Sequence, residues 1–223
     1  MQKIINTFLK YIKWPLALLM ILTFLPVLKA DIRLLQETTN ISFVTKFIVP
    51  IVAILAVWFV IPGLNGSHFA IFEHEFTHMM TALITFHKPK SLRIDPDKGG
   101  AFGYYGEGNW LITLAPYFVP TFPIFLMIFS SVWLGLGQPL PEWFLPILGV
   151  MFGYHLISNA AQIHPEQTDF AKAGWIFSFL FLPTANLLAV GFVWAFAAYS
   201  WDGVAKWWNL ILHYSETMLK NIF

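Results

Sequence analysis

Apolar stretches too long and too continuous for a water-soluble core limit what this chain can become. Segments 14–28, 41–61, 69–86, 110–136, 140–163 and 175–199 are dominated by Leu, Ile, Val, Phe and Trp. A helix crossing the hydrocarbon of a bilayer needs about 20 such residues, since each adds about 1.5 Å. Charged residues make up 11% of the chain, against about 25% in soluble domains. The mean hydropathy is +0.65, leaving too little polar surface to clothe a soluble fold. The expectation is an all-α membrane protein, residues 1–223 forming one integral membrane domain of the cell membrane with about six transmembrane helices. The basic start and apolar run of the N-terminus lack a small-residue cleavage site, because Pro26, Leu28 and Lys29 follow instead. This region reads as a retained first span.

Within the third stretch stands His74-Glu75-Phe76-Thr77-His78, an H-E-x-x-H motif. Residues four apart lie one above the other on a helix face, so both imidazoles can reach one metal ion. Glu75 is rotated by about 100° from His74, close enough to hold a water without taking the coordination site. Two His ligands with a Glu as general base are the arrangement of zinc hydrolases. The plainer reading, histidines that pack and bond locally, fits less well. Glu73, His74, Glu75 and His78 sit among apolar runs, where ionisable groups are costly unless paired or metal-bound.

The rest of the chain narrows the options. The net charge of +1 offers no basic surface for nucleic acid. With no cysteine, a metal must be held by His, Asp or Glu. Residues 29–46 read as a polar linker, and the second span ends at Pro62-Gly63. After the motif, Ser91–Asp95 alternates as a strand does. Pro96-Asp97-Lys98-Gly99-Gly100 is turn chemistry, and Ala101–Tyr105 can return, so a short β-hairpin is expected. Pro116, Pro120 and Pro123 interrupt the fourth span, which implies a helix packed inside a bundle. The tail from Trp201, with Trp207, Trp208, Ile211 and Leu219, reads as interfacial. Lysine and arginine placement puts the hairpin and the 164–174 connector in the cytoplasm and both termini outside.

A catalytic zinc usually has three protein ligands. From the residues alone the third remains open among His68, His155, His164, Glu166 and Asp169. The connector Gln162–Phe170 is polar and broken by Pro165, which lets a side chain turn inward. His87, His155 and His213 read as structural.

The order of these parts resembles the site-2 protease family of intramembrane zinc metalloproteases. His74, Glu75 and His78 match its first core helix, residues 91–105 its membrane-associated hairpin, and Asn159…Pro165…Asp169 its broken third helix. The likeness spans residues 67–172. Thr77 stands where a Gly is common, and Thr168 and Phe170 flank the Asp in place of Leu and Gly. The resemblance implies one zinc ion per chain held by His74, His78 and Asp169, with Glu75 activating water. It also implies a membrane-protein or peptide substrate reached through the lipid bilayer. Asn159 could stabilise the tetrahedral intermediate or simply bond a neighbour. Two other readings stand beside it. A di-iron membrane oxygenase of the desaturase or hydroxylase type needs more histidines than the seven present, including doublets that are missing. A non-enzymatic metal-binding transporter or scaffold would share the broken helices.

Overall fold

The structure, a computed structural model, describes residues 1–61, 68–95, 99–163 and 167–222. In chain order the elements are helix α1 (Gln2–Glu37), α2 (Ile41–Phe43), a π turn (Val44–Ile48) and α3 (Val49–Val60). Helix α4 (His68–Ile84) is followed by strands β1 (Pro89–Arg93) and β2 (Ala101–Tyr104). Then come α5 (Trp110–Leu114), a 3-10 turn (Ala115–Tyr117), α6 (Thr121–Gly135), α7 (Phe144–Gln162), α8 (Thr168–Ala173) and α9 (Trp175–Ile222).

Four of these helical runs are long and apolar enough to cross a membrane: Gln2–Glu37, Ile41–Val60, Phe144–Gln162 and Trp175–Asn221. Counting the broken pair Trp110–Tyr117 and Thr121–Gly135 as one span makes five. Among the described residues the expected six are not reached. The shortfall is α4, whose 17 residues extend only about 26 Å and carry Glu73, His74, Glu75 and His78. The fourth stretch is not one kinked rod either. Pro120 and its neighbours separate α5 and its 3-10 turn from α6.

Helix α1 also departs from expectation, running through residues 29–37 where a linker was anticipated. Val27, Ala30 and Leu34 recur at helical spacing and are buried, while Arg33 pairs with Glu37 one turn on at 2.7 Å. An apolar stripe with an i,i+4 ion pair is sufficient to continue a helix. The hairpin forms as expected, antiparallel with Leu92 opposite Phe102 and Arg93 opposite Ala101. Its first strand starts two residues earlier than Ser91, and the turn residues Pro96–Lys98 lie outside the described residues, as do Pro62 and Gly63.

The chain packs as two compact units. One comprises Met1–Ile21, Trp58–Val119 and Ser158–Leu182. Its aromatic core places the Trp110 ring 5.0 Å from Phe177 and 5.2 Å from Phe181, and the Trp110 indole donates to the Leu9 carbonyl at 2.9 Å. Gln2 and Asn6 donate to the Tyr105 and Glu107 carbonyls just beyond β2. The N-terminus therefore lies beside the hairpin base, not across the membrane from it as the charge count had suggested. That contact moves Lys3, Lys10 and Lys13 to the hairpin's side and enlarges the cationic set there.

The other unit comprises Leu22–Val57, Pro120–Ile157 and Pro183–Phe223. Phe43, Phe47, Phe144, Phe152 and Phe196 fill one core. Helix α7 approaches the 41–60 run through Gly149 and Gly153, one helical turn apart. A Cβ on Gly149 would fall 2.5 Å from the Phe47 carbonyl oxygen, and one on Gly153 would fall 2.6 Å from Ile54. Small residues four apart allow this approach in an apolar medium. Helix α9 breaks at Tyr199 and Ser200, and the Ala195 carbonyl stands where a Cβ on Gly203 would go. The tail so returned buries Trp207 and Ile211 against Val27, Ala30 and Leu34. These two residues are core and not interfacial, whereas Trp208 and Leu219 are exposed. Gly153→Leu should therefore lower the detergent melting midpoint, since overpacking costs about 1–3 kcal/mol. Gly135→Ala, with nothing within 4 Å, should leave it unchanged or slightly raised.

Candidate metal centre

Helix α4 presents His74 and His78 on one face, their Nε2 atoms 3.2 Å apart. The orientation of His78 has a cause far along the chain. Pro116 has no N–H, so the Ile112 carbonyl four residues before it lacks a helical donor. His78 Nδ1–H donates to that carbonyl at 2.7 Å. A carbonyl can only accept, so Nδ1 carries a proton, and in the neutral imidazole the Nε2 lone pair then faces inward.

Asp169, in the first turn of α8, places Oδ2 3.6 Å from His74 Nε2 and 3.4 Å from His78 Nε2. A tetrahedral zinc with arms of about 2.0–2.1 Å separates its ligands by about 3.3 Å. The three observed edges bracket that value, and two imidazole nitrogens with one carboxylate oxygen form a donor set that zinc accepts. Among the described residues, His74, His78 and Asp169 are the group able to hold a metal, with ligand atoms within 4.8 Å of one another. All three are buried.

The Asp169 carboxyl is held in place from several sides. Burial alone would push its pKa up; with the two imidazoles protonated, their N–H groups and charge outweigh this and hold it well below the usual carboxylate range. Tyr117 Oη donates to Oδ2 at 3.3 Å, and Lys172 Nζ approaches Oδ1 at 3.3 Å. The Tyr117 ring also stands edge-on to His74 at 5.2 Å. Tyr117 is fixed through its own carbonyl, which accepts from Asn159 Nδ2 at 2.6 Å. That carbonyl too is freed by a chain break, ahead of Pro120. Asn159 thus bonds a neighbour and does not line the cavity.

Glu75 shares a cavity of about 790 Å³ with the three donors. Strand β2 forms its facing wall. An added Cβ on Gly100 would lie 2.5 Å from Glu75 Cγ and Oε1, so a larger residue there would have to push the Glu75 side chain aside. The Phe102 backbone N–H lies close enough to the Glu75 carboxylate to favour its charged form. Glu73 is buried but is not part of the cavity wall. Thr77 returns its hydroxyl to the Glu73 carbonyl at 2.8 Å. Thr81 and Thr85 do the same one and two turns later, which satisfies hydroxyls in apolar surroundings.

Of the other ligand candidates, His68 is exposed and His155 is buried in the second unit. His164 and Glu166 lie outside the described residues. His87 is structural: its Nε2 donates to the Glu107 carbonyl at 2.8 Å and Nδ1 meets Thr85 Oγ1 at 3.0 Å. His213 contacts only the neighbouring Tyr214 ring among the described aromatic pairs. Sequence reasoning missed Tyr117, Gly100 and the Ile112 carbonyl. The last was traceable in principle, because a proline always frees the carbonyl four residues earlier.

A family model described as Peptidase M50B-like matches residues 46–158, just over half of the chain. The match takes in His74, Glu75, His78, the hairpin and Tyr117, and ends before Asp169. No curated protein and no solved structure matches the chain.

Pro116→Ala restores a donor for the Ile112 carbonyl and sets it in competition with His78. Zinc affinity should fall by about 10- to 100-fold, the usual effect of losing a partner behind a ligand, as measured by competition with a chelating dye. Unchanged affinity would mean that the His78–Ile112 bond does not orient a ligand.

Proposed function

Because the chain belongs to the Peptidase M50B-like, site-2 protease family, we propose that it is an intramembrane zinc endopeptidase acting on membrane-associated polypeptides. The observation that carries this reading is the convergence of His74, His78 and Asp169 in one cavity with Glu75. A histidine pair alone is common. A buried pair closed by a carboxylate, with a second carboxylate beside it, has the donor set and the base that metal-assisted hydrolysis requires.

His74, His78 and Asp169 would hold the ion, which when bound supplies Lewis acidity and makes water acidic enough to attack near neutral pH. Glu75 accepts the proton of the attacking water on its carboxylate and returns it to the leaving amine as the peptide bond breaks. Phe102 N–H and the close backbone at Gly100 keep that carboxylate turned into the cavity. Tyr117 and Lys172 take up the remaining valences of Asp169. The substrate must be unwound to lie there, and β2 offers an edge along which an extended segment could pair.

Glu75→Gln should retain zinc at the wild-type stoichiometry while peptide cleavage falls by about 10²–10⁴. Cleavage within a few-fold of wild type would remove Glu75 from the role of base. Asp169→Ala should lose zinc and cleavage together, whereas His164→Ala should keep most of both. The reverse result would transfer the third ligand to His164.

A further inference from the structure

Beside the metal cavity is a second one, of about 860 Å³, that the chemistry above leaves unused. Its walls include Lys3, Lys10, Lys13 and Lys172, with Glu107 as the one acidic residue among them. Lys3, Asn6, Lys10 and Lys13 are spaced by three or four, so they lie along one face of α1. On a helix otherwise rich in Ile, Leu and Phe, this is a polar stripe.

Hydrogen bonds hold the stripe against the site-bearing elements. Asn6 Nδ2 donates to the Glu107 carbonyl at 2.6 Å, and Lys13 Nζ donates to the Ala173 carbonyl at 2.7 Å. Lys172 is engaged with Asp169. Lys3 and Lys10 are exposed and have no ion pair among the described residues. Both line the groove, where four lysines face the single carboxylate of Glu107.

Tyr104, Thr113 and Lys172 line both cavities. A polypeptide leaving the metal cavity past Lys172 enters the lysine groove directly. We propose that this groove is an extended subsite that binds acidic residues of the substrate on one side of the bond cut. The inference rests on the protease reading and names the substrate class for it. Carboxylate side chains are the groups that lysine ammonium groups recognise as point charges. The wall shared with the metal cavity favours a peptide over a lipid headgroup, since a headgroup would have no reason to continue into that cavity.

The test uses full-length, zinc-loaded Glu75→Gln protein in detergent, so that binding is read without turnover. Fluorescently labelled apolar peptides carry an Asp-Asp pair at the N-terminal end, the C-terminal end or neither, with Asn-Asn as the neutral match. Each exposed ion pair weights binding about two- to fivefold. An Asp-Asp pair should therefore tighten binding about five- to tenfold over Asn-Asn, at one end only, and the preference should shrink as salt rises. Adding Lys3→Gln and Lys10→Gln should bring the ratio near unity. Lys10→Glu should invert it in favour of Lys-Lys peptides.

No charge preference at either end, or equal preference at both, overturns the subsite. So does a double variant that loses bound phosphatidylglycerol while keeping the peptide ratio, which would make the groove a headgroup site. Cleavage by the wild-type chain is followed separately. If it cleaves no peptide while the one-ended preference stands, the protease reading fails and the anionic site remains. If it cleaves without regard to charge, the subsite alone fails.

Discussion

The hydrogen bond from His78 to the Ile112 carbonyl is the contact on which the site depends most. In an apolar interior a carbonyl without a partner costs about 1–3 kcal/mol, and Pro116 guarantees such a carbonyl four residues upstream. The same bond that removes this cost fixes the His78 tautomer and aims its lone pair at His74 and Asp169. A second break, before Pro120, frees the Tyr117 carbonyl for Asn159 and so seats the phenol that reaches Asp169. Pro116 thus leaves the Ile112 carbonyl to His78, and the chain break before Pro120 leaves the Tyr117 carbonyl to Asn159.

Charge balance explains the remaining arrangement. Three donor groups and a second carboxylate, Glu75, lie within one cavity, which no apolar surrounding tolerates without compensation. Imidazoles, the Tyr117 hydroxyl and Lys172 surround Asp169, while backbone at Gly100 and Phe102 closes on Glu75. A divalent cation would complete this set in the same sense, because neutral imidazoles and a carboxylate offer lone pairs to a common point.

How much of this could be read in advance varied with the range of the interaction. His74, Glu75 and His78 were visible because helical periodicity alone puts them together. The hairpin was visible because turn chemistry and alternation are local. Asp169 came through resemblance, since nothing within the 162–170 connector distinguishes it from His164. Pro116 was read correctly as a break, but the destination of the carbonyl it frees depends on a helix 34 residues earlier. The extension of α1 past Lys29 was hidden by its charges, which pair along the helix while Ala30 and Leu34 continue the buried stripe. Gly149 and Gly153 gave no signal by themselves, because their meaning is the backbone that approaches them. The N-terminal lysines were assigned across the membrane from the hairpin by a rule that counts charges per loop. Asn6 and Gln2 show instead where that segment is tied.

X-ray absorption at the zinc edge of detergent-purified, zinc-loaded protein tests the central claim most directly. A first coordination sphere containing two imidazoles and at least one carboxylate or water oxygen is expected, with one imidazole lost in His78→Ala and both retained in Asp169→Ala reloaded at high zinc. Three imidazoles, or a second metal within about 4 Å, would contradict a single ion held by His74, His78 and Asp169.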